Sequence, residues 1–202
     1  MASPLAGLAI LVTRLVERSA GLLQAFTAKG ARPIAFPAIE IEPIAAPAWP
    51  ARPQYDLVVF VSPAAVAHGA TRRGAFALAE IAAVGEATAH ALAEHGVRAT
   101  VEPVGSRDSE GLLAHPALAA DAIAGRHVLI VRGEGGREAL GRSLVARGAT
   151  VDYAEVYRRV RPAGADPALA AASDITTVTS NEGVTNLLAM LDTPTRARLL
   201  QQ

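Results

Sequence analysis

The chain contains no cysteine. This absence excludes disulfide bonds, thiolate nucleophiles, iron–sulfur ligation and thiolate zinc sites. Aromatic residues are scarce, with four Phe, three Tyr and one Trp. Neither sign of charge is in excess, because 19 Lys and Arg balance 19 Asp and Glu. The chain therefore lacks the basic footprint of a nucleic-acid-binding protein, and an anionic ligand must be held by local groups.

Long apolar runs are also missing, since none approaches the roughly 18 residues that a membrane span requires. The N-terminal run, Leu5–Val12, has no cationic region before it and no cleavage pattern after it. It predicts a first strand rather than a signal peptide. The five histidines show no HxH or HxxxH pairing, so no metal site is expected. We expect a cytoplasmic protein with no membrane partner.

The sequence does contain an internal repeat. At an offset of 118 residues (132 − 14), Arg132 aligns with Arg14 and Ser180 aligns with Ser62. Each pair occupies a matching junction between a predicted strand and a predicted helix. We interpret the chain as two copies of one unit and expect two small domains. Two full copies would reach residue 236, and 236 − 202 leaves about 34 residues unaccounted for, so we expect a truncated chain whose second sheet is incomplete.

Short apolar runs alternate with helical patterns in both copies. Strands are predicted at Leu8–Thr13, Asp56–Val61, Ile81–Val84, Thr100–Val104, His127–Val131, Val151–Val160 and Asp174–Thr179. Helices are predicted at Arg14–Lys29 and Gly136–Arg147, and from the residues Ser62, Gly85, Ser106 and Ser180 onward. Strands and helices that alternate with short connections predict an α/β fold with parallel sheets covered on both faces.

A proline-rich region separates the first two buried strands. Ala31–Ile44 alternates but is interrupted by prolines, which is typical of an edge strand or a ribbon. It aligns with Val151–Arg161 at the same offset. Pro43–Pro53 contains four prolines and predicts a stiff, extended connection.

Ligands of open parallel sheets bind beyond the carboxyl ends of the strands. Five loops at such ends are rich in hydroxyl groups, glycines and helix N-terminal N–H groups. They are Thr13-Arg14, Ser62-Pro63, Gly85–Thr88, Arg132–Gly135 and Thr179–Gly183. These donors suit carboxylates or phosphates, because backbone N–H groups and the helix dipole both favour negative charge.

Each candidate also has a purely structural interpretation. Ser62 and Ser180 fit helix N-caps, Arg14 and Arg132 fit local ion pairs, and Tyr157 fits packing on an alternating strand. The run from Gly133 resembles the start of a dinucleotide fingerprint, but Glu138 stands at the place of its third glycine. No nucleotide cofactor is therefore expected.

Five motifs occur in one order along the chain: Leu11–Arg14, Phe60–Val66, Ala83–Ala89, Leu129–Gly133 and Thr179–Val184. In this order and spacing they resemble uroporphyrinogen-III synthases, over essentially the whole chain. The resemblance implies two flavodoxin-like α/β domains joined by a two-stranded β-ladder. The first domain would comprise 1–35 and 163–202, the second 45–150, and the ladder 36–44 and 151–162.

The resemblance also implies an activity, that of a cyclising, dehydrating hydro-lyase of tetrapyrrole biosynthesis. Its substrate is hydroxymethylbilane, a linear tetrapyrrole with eight carboxylates, which is closed with inversion of ring D. Tyr157 matches a family tyrosine that is the usual candidate for assisting departure of the hydroxyl group. The positions implied to bind substrate are Arg14, Ser62, Gly85, Thr88, Ser109, Arg132, Gly133 and Ser180. Ala64 departs from the pattern, since some members carry a basic residue there.

The resemblance implies no cofactor and no metal. We expect a monomer, and a hand-over of substrate from the bilane-producing deaminase is compatible with it. A non-catalytic two-domain hinge protein that binds a small anion would share every loop feature. A nucleotide-sugar transferase or another Rossmann-like enzyme is disfavoured by Glu138.

Overall fold

The computed structural model describes residues 3–52, 54–71 and 78–201. Its strands are β1 (Ala9–Val12), β2 (Arg32–Ala35), β3 (Glu40–Pro43), β4 (Leu57–Phe60), β5 (Glu80–Ala83), β6 (His127–Gly133), β7 (Thr150–Val160) and β8 (Ile175–Thr177). Its helices are α1 (Ala20–Ala28), α2 (Pro63–Gly69), α3 (Glu86–Glu94), α4 (Ser109–Leu113), α5 (Ala120–Ile123), α6 (Ala139–Ala146), α7 (Pro167–Ala171), α8 (Asn181–Met190) and α9 (Thr193–Leu199). The predicted α/β class with parallel sheets is confirmed. Within the described ranges, no helix is long and apolar enough to cross a membrane.

The chain divides into two compact units. Unit 1 comprises Met1–Ile41 and Arg159–Gln202, and unit 2 comprises Glu42–Arg158. Both changes from one unit to the other fall inside the segments 36–44 and 151–162, for which the sequence predicts a ladder. The predicted limits of the domains themselves stay a prediction.

Unit 1 contains the three-stranded sheet, in the order β2-β1-β8. Both pairings are parallel, and β1 is buried along its whole length. Leu11 of β1 packs in one cluster with Leu187 of α8 and Ala170 of α7. The apolar run of β1 is continuous because this central strand has no solvent-facing side.

Unit 2 contains most of the five-stranded sheet, in the order β3-β7-β6-β4-β5. Leu57 and Val59 of β4 pack in one cluster with Leu144 of α6. The alternate residue Phe60 faces α2, where a Cβ placed on Gly69 would lie 3.5 Å from the Phe60 ring. Because successive strand residues point to opposite faces, α6 and α2 cover opposite faces of this sheet.

The strand β7 takes part in two pairings. It is parallel to β6 over the residues from Thr150 to Tyr157. On its other side it neighbours β3, where Ile44 N–H donates to the carbonyl of Val156 and Glu42 pairs with Arg158. The partner numbers fall along β7 as they rise along β3, so this pairing is antiparallel. The predicted ladder is therefore one edge of the larger sheet.

The strand pairings of the two sheets are equivalent when residue numbers are shifted by the repeat offset of 118. Ala9 faces Arg32 in the pairing of β1 with β2, and His127 faces Thr150 in the pairing of β6 with β7. The same equivalence relates the β1–β8 pairing to the β6–β4 pairing. The group β2-β1-β8 thus takes two strands from the first copy of the repeat and one from the second. The group β7-β6-β4 takes two strands from the second copy and one from the first.

An aspartate repeats at the same offset. Asp174 Oδ2 accepts the N–H of Ala9 at 2.8 Å, and Asp56 Oδ2 accepts the N–H of His127 at 2.7 Å. Each carboxylate therefore satisfies the first N–H group of the central strand beside it. A duplication of one ancestral unit, which would account for these matches, stays a prediction.

We expect Asp56→Ala and Asp174→Ala each to lower the free energy of unfolding by about 1–2 kcal/mol, since each removes a charge-assisted hydrogen bond. Urea denaturation measures the effect. Asp121→Ala, at an exposed acid of α5, is the control and should change stability by less than about 0.5 kcal/mol. Equal effects of all three substitutions would contradict the role assigned to the two aspartates.

Tyr55, which follows the proline-rich connection, is hydrogen-bonded to β7. Its hydroxyl donates to Asp152 Oδ2 at 2.9 Å, and Arg52 Nε lies 3.7 Å from the same oxygen. Burial of the phenol, followed by its hydrogen bond to Asp152, raises the pKa of Tyr55 to about 12. The protonated phenol is therefore the form that stabilises the fold.

This pKa predicts a loss of stability in alkali. Below pH 10.0, the ordinary pKa of tyrosine, both states keep the proton and the contribution of Tyr55 is complete. Between that pH and about 12 the unfolded state loses its proton first, so the free energy of unfolding falls. The stability advantage of the wild type over Tyr55→Phe should shrink across this interval in urea titrations. A constant advantage would show that the folded state does not raise the pKa of Tyr55.

Several predicted elements differ from the structure. The helix expected from Gly136 begins at Ala139. In place of a strand at Thr100–Val104, Val101 forms a single bridge with Ala82. The helix expected from Ser106 begins at Ser109, because the carboxylate of Asp108 caps it by accepting the N–H of Gly111.

Another difference concerns the helix expected to begin at Arg14, which instead begins at Ala20. A short 3-10 turn, Val16–Arg18, precedes it. The Ser19 hydroxyl donates to the carbonyl of Val16 at 2.8 Å, and such a local bond competes with the helical ladder. The helices α5, α7 and α9 were not predicted from the sequence.

Candidate functional site

The hydroxyl groups of Tyr157 and Ser62 meet at the carboxyl end of the sheet in unit 2. Their oxygens lie 3.1 Å apart. Ser62 is the N-cap of α2, and its Oγ accepts the N–H of Ala65 at 3.1 Å. The structure thus joins the residue that the sequence predicts to be catalytic with one predicted to bind substrate.

A register shift in β7 directs Tyr157 toward α2. Arg132 faces Glu155, whereas the next residue, Gly133, faces Tyr157. Val156 is therefore an extra residue, as in a β-bulge, and a bulge redirects the side chain that follows it. Bulges are uncommon in parallel pairs.

The effect of the shift is visible in the two tyrosines of β7. Tyr153 packs against the cluster that contains Leu144 of α6, on one face of the sheet. Tyr157 reaches Ser62 and His68, which belong to the α2 region on the other face, and the rings of His68 and Tyr157 are 6.3 Å apart. Uniform alternation would place residues four apart on the same face.

Gly133 leaves the space that the Tyr157 ring fills. A Cβ placed on Gly133 would lie 2.6 Å from two atoms of that ring, Cε2 and Cζ. Tyr157 is only 5% exposed, so the ring has little room to move. Gly133 is thus in contact with the candidate catalytic side chain.

Arg132 is occupied by contacts within unit 2. Its guanidinium pairs with Glu155 at 2.9 Å, donates to the carbonyl of Gly136 at 3.0 Å and lies 4.0 Å from the centre of the Tyr153 ring. The side chain is buried. This arrangement matches the local ion pair that was the alternative interpretation of Arg132.

Three other candidates lie on helices of unit 2. Gly85 has a φ of 94° as the N-cap of α3, a conformation that favours glycine. Thr88 is buried, and its hydroxyl donates to the carbonyl of Val84 at 3.2 Å. Ser109 is half-buried at the start of α4. The Thr88 hydroxyl is therefore engaged by the protein itself.

Unit 1 has a cavity of about 170 Å³ at the carboxyl end of β1. Its lining includes Thr13, Arg14, Leu15, Arg18, Ile39, Thr179, Ser180 and Gly183. Ser180 is the N-cap of α8, and its Oγ accepts the N–H of Gly183 at 3.0 Å. The predicted candidates Arg14 and Ser180 are therefore brought together in one cavity.

The equivalent arginines of the two units differ in their partners. Arg132 pairs with Glu155, but the position that aligns with Glu155 in unit 1 is Pro37. In the part of the chain that the structure describes, Arg14 has no ion-pair partner. Among the described residues, the charge of Arg132 is therefore balanced by an ion pair and the charge of Arg14 is not.

Sequence reasoning did not single out Arg18, which lies in the 3-10 turn after β1 and lines the same cavity. No repeat signal pointed to it, because it lies outside the repeated strand–helix junction. Within residues 3–52, 54–71 and 78–201, no three His, Asp or Glu side chains are grouped as metal ligands would be.

Several curated relatives are named as uroporphyrinogen-III synthases. The chain is 32% identical over 170 residues to a putative uroporphyrinogen-III synthase of Methanothermobacter thermautotrophicus, in an alignment that covers 78% of this chain and 64% of the relative. It is 44% identical over 77 residues to the uroporphyrinogen-III synthase of Escherichia coli, which covers 38% of this chain and 30% of the relative. The chain thus spans less than two thirds of the length of these relatives.

Solved structures of the same name share the fold. A mutant uroporphyrinogen III synthase from Thermus thermophilus superposes with a TM-score of 0.60 at 19% identity, over 93% of this chain and 79% of the other. The uroporphyrinogen-III synthetase of Helicobacter pylori 26695 gives a TM-score of 0.59 at 14% identity, over 92% and 79%. At these identities the likeness establishes the mixed α/β architecture.

The family model described as uroporphyrinogen-III synthase HemD matches residues 21–201. This range contains four of the five motifs that carried the resemblance in the sequence, and the match confirms that resemblance. Since it extends over most of the chain, the chain belongs to the uroporphyrinogen-III synthase family.

Proposed function

We propose that this protein converts hydroxymethylbilane to uroporphyrinogen III, with loss of water and inversion of ring D. The observation that carries the proposal is the family match over residues 21–201. In chemical terms the protein would be a cyclising hydro-lyase. The monomeric state, the cytoplasmic location and a hand-over from the bilane-producing deaminase stay predictions.

The chemistry assigns the protein chiefly a positioning role. A pyrrole nitrogen can expel the neighbouring hydroxyl, and a free bilane cyclises without inversion. The protein must therefore hold a flexible chain so that ring D reacts through its substituted carbon. Positioning of this kind contributes about 7–11 kcal/mol to lowering a barrier.

Tyr157 is the proposed catalytic group. Its hydroxyl would donate a proton to the departing hydroxyl of the bilane. A phenol is a weak acid, so general acid catalysis by Tyr157 assists a departure that the pyrrole nitrogen already drives. We therefore assign Tyr157 a helping role rather than an indispensable one.

Arg14 is the proposed anchor for a substrate carboxylate. The charge of Arg14 is unpaired among the described residues, and Arg18 and Ser180 line the same cavity. Hydrogen bonds between charged partners contribute roughly 1.5–3 kcal/mol each. Arg132, whose charge is balanced by Glu155, is proposed to support the loop instead of binding the substrate directly.

The proposal is tested by incubating the protein with hydroxymethylbilane and separating the oxidised porphyrin isomers. The expected result is a type III fraction above the level of spontaneous cyclisation. Type I product alone would exclude the synthase. Tyr157→Phe should slow formation of type III without abolishing it, and an unchanged rate would return Tyr157 to a packing role.

A further inference from the structure

We propose that Ser62 is a positioning residue that donates its hydroxyl hydrogen to the oxygen of Tyr157, leaving the phenol hydrogen free for the substrate. The inference rests on the proposed function and assigns Ser62 a role through Tyr157 rather than by direct contact with substrate. It is carried by the geometry of three elements that converge on one phenol.

Two of these elements restrict where the ring can lie. The extra residue Val156 turns Tyr157 toward α2, and the missing side chain of Gly133 leaves the space for the ring. The third element, Ser62, holds the phenol oxygen at 3.1 Å. The strand register thus positions the ring, and the N-cap of α2 places a hydroxyl group within hydrogen-bond distance of the phenol oxygen.

The donors of Ser62 and Tyr157 can be counted. Ser62 Oγ already accepts the N–H of Ala65, and it has one hydrogen of its own to donate. The phenol oxygen of Tyr157 lies within hydrogen-bond distance of Ser62 Oγ, and either hydroxyl can be the donor in this contact. Either direction leaves one of the two hydroxyl hydrogens without a recorded partner among the described residues. If Tyr157 donated to Ser62, its hydrogen would be engaged within the protein, whereas donation by Ser62 leaves the phenol hydrogen for the substrate.

This direction suits proton transfer from Tyr157. The C–O bond of the bilane hydroxymethyl group breaks, and the oxygen leaves as water with the Tyr157 proton while the pyrrole nitrogen supplies the electron pair. The phenolate that remains is stabilised by the Ser62 hydroxyl, which the Ala65 N–H polarises in turn. The phenolate regains a proton when the pyrrole ring that has been attacked loses one and recovers its aromaticity.

Three substitutions at Ser62 separate the possible roles. Thr keeps both the cap and the hydroxyl hydrogen. Ala removes both, and the loss of an N-cap destabilises the helix as well. Asp keeps the cap but has no hydrogen to donate when ionised, so it turns Tyr157 into the donor.

The first measurement is independent of activity. The Raman doublet of tyrosine distinguishes a phenol that donates a hydrogen bond from one that accepts it. The chain has three tyrosines, so subtracting the spectrum of Tyr157→Phe isolates Tyr157. We expect an accepting phenol in the wild type and in Ser62→Thr, and a donating phenol in Ser62→Asp. A donating phenol in the wild type would overturn the proposal.

The second measurement is kinetic. We expect Ser62→Asp to lower kcat for type III formation at least about tenfold, with KM changed less than about threefold and with thermal stability kept, and Ser62→Thr to restore kcat. A wild-type kcat for Ser62→Asp would reduce Ser62 to a helix cap. A raised KM with kcat kept would make Ser62 a substrate contact, and both outcomes overturn the proposal.

Asp192→Ser serves as the control. Asp192 is the N-cap of α9 and accepts the N–H of Thr195 at 2.8 Å. The control therefore exchanges aspartate and serine at an N-cap, as Ser62→Asp does, but at a helix of unit 1, whereas Tyr157 belongs to unit 2. It should leave the Raman difference spectrum and kcat unchanged. If the wild type makes no type III product, the proposed function has failed, and the Raman spectra alone decide the direction of the hydrogen bond.

Discussion

Replacing Gly133 by alanine is expected to lower kcat for type III formation about 100-fold, because a displacement of a catalytic group by about 1 Å can cost that much. The new Cβ would lie 2.6 Å from the Tyr157 ring, so the ring must shift. KM should change little, since the substitution adds no group at the cavity of unit 1 where Arg14 is proposed to bind a substrate carboxylate. Steady-state kinetics with isomer separation measures both constants.

The control for this substitution is Gly21→Ala. A Cβ on Gly21, in α1, meets no atom within 4 Å, and alanine favours a helix over glycine by about 0.5–1 kcal/mol. Gly21→Ala should therefore raise stability and leave kcat unchanged, whereas overpacking at Gly133 should lower stability by roughly 1–3 kcal/mol. A wild-type kcat in Gly133→Ala would mean that the Tyr157 ring position has no bearing on the reaction.

The second large effect is expected from Arg132→Met, which should lower the free energy of unfolding by about 2–3 kcal/mol. The substitution keeps an apolar stem but removes the ion pair with Glu155, the hydrogen bond to Gly136 and the contact with the Tyr153 ring. Urea denaturation at neutral pH measures the loss. Glu155→Gln should cost less, because the glutamate side chain is 36% exposed while that of Arg132 is 11% exposed.

The aligned residue Arg14 should behave in the opposite way. Arg14→Met is expected to change stability by less than about 0.5 kcal/mol and to raise KM for the bilane roughly tenfold, the effect of losing one charge-assisted contact.

The double variant Arg132→Met/Glu155→Gln should be less destabilised than the sum of its single variants. Equal stability losses at Arg14 and Arg132 would contradict the difference in pairing.

The helix starts show how far local sequence is sufficient. Ser62 and Ser180 were predicted as N-caps, and both hydroxyl oxygens accept an N–H three residues later. Such a cap depends on neighbouring residues alone, so it can be predicted from the chain in one dimension. The wrong helix start at Ser106 also arises from local sequence, because two neighbouring residues can act as caps. Asp108, two residues after Ser106, is the one that caps the helix.

The faces of β7 show where local sequence fails. Tyr153 and Tyr157 are four residues apart, and simple alternation predicts that they share a face. The extra residue at Val156 is defined by the pairing of β7 with β6. No pattern within β7 reveals it, because a register belongs to two strands at once.

By itself the sequence determined the α/β class, the parallel strands, the cap residues and the family, because these follow from apolar periodicity, from neighbouring side chains and from ordered motifs. Only the tertiary structure decided that Tyr157 meets Ser62 and that, among the described residues, Arg132 has an ion-pair partner while Arg14 has none. Those outcomes depend on residues far apart in the chain, such as Glu155 and Pro37, and on a one-residue shift between strands. Contacts of that kind exist only once the sheet has formed.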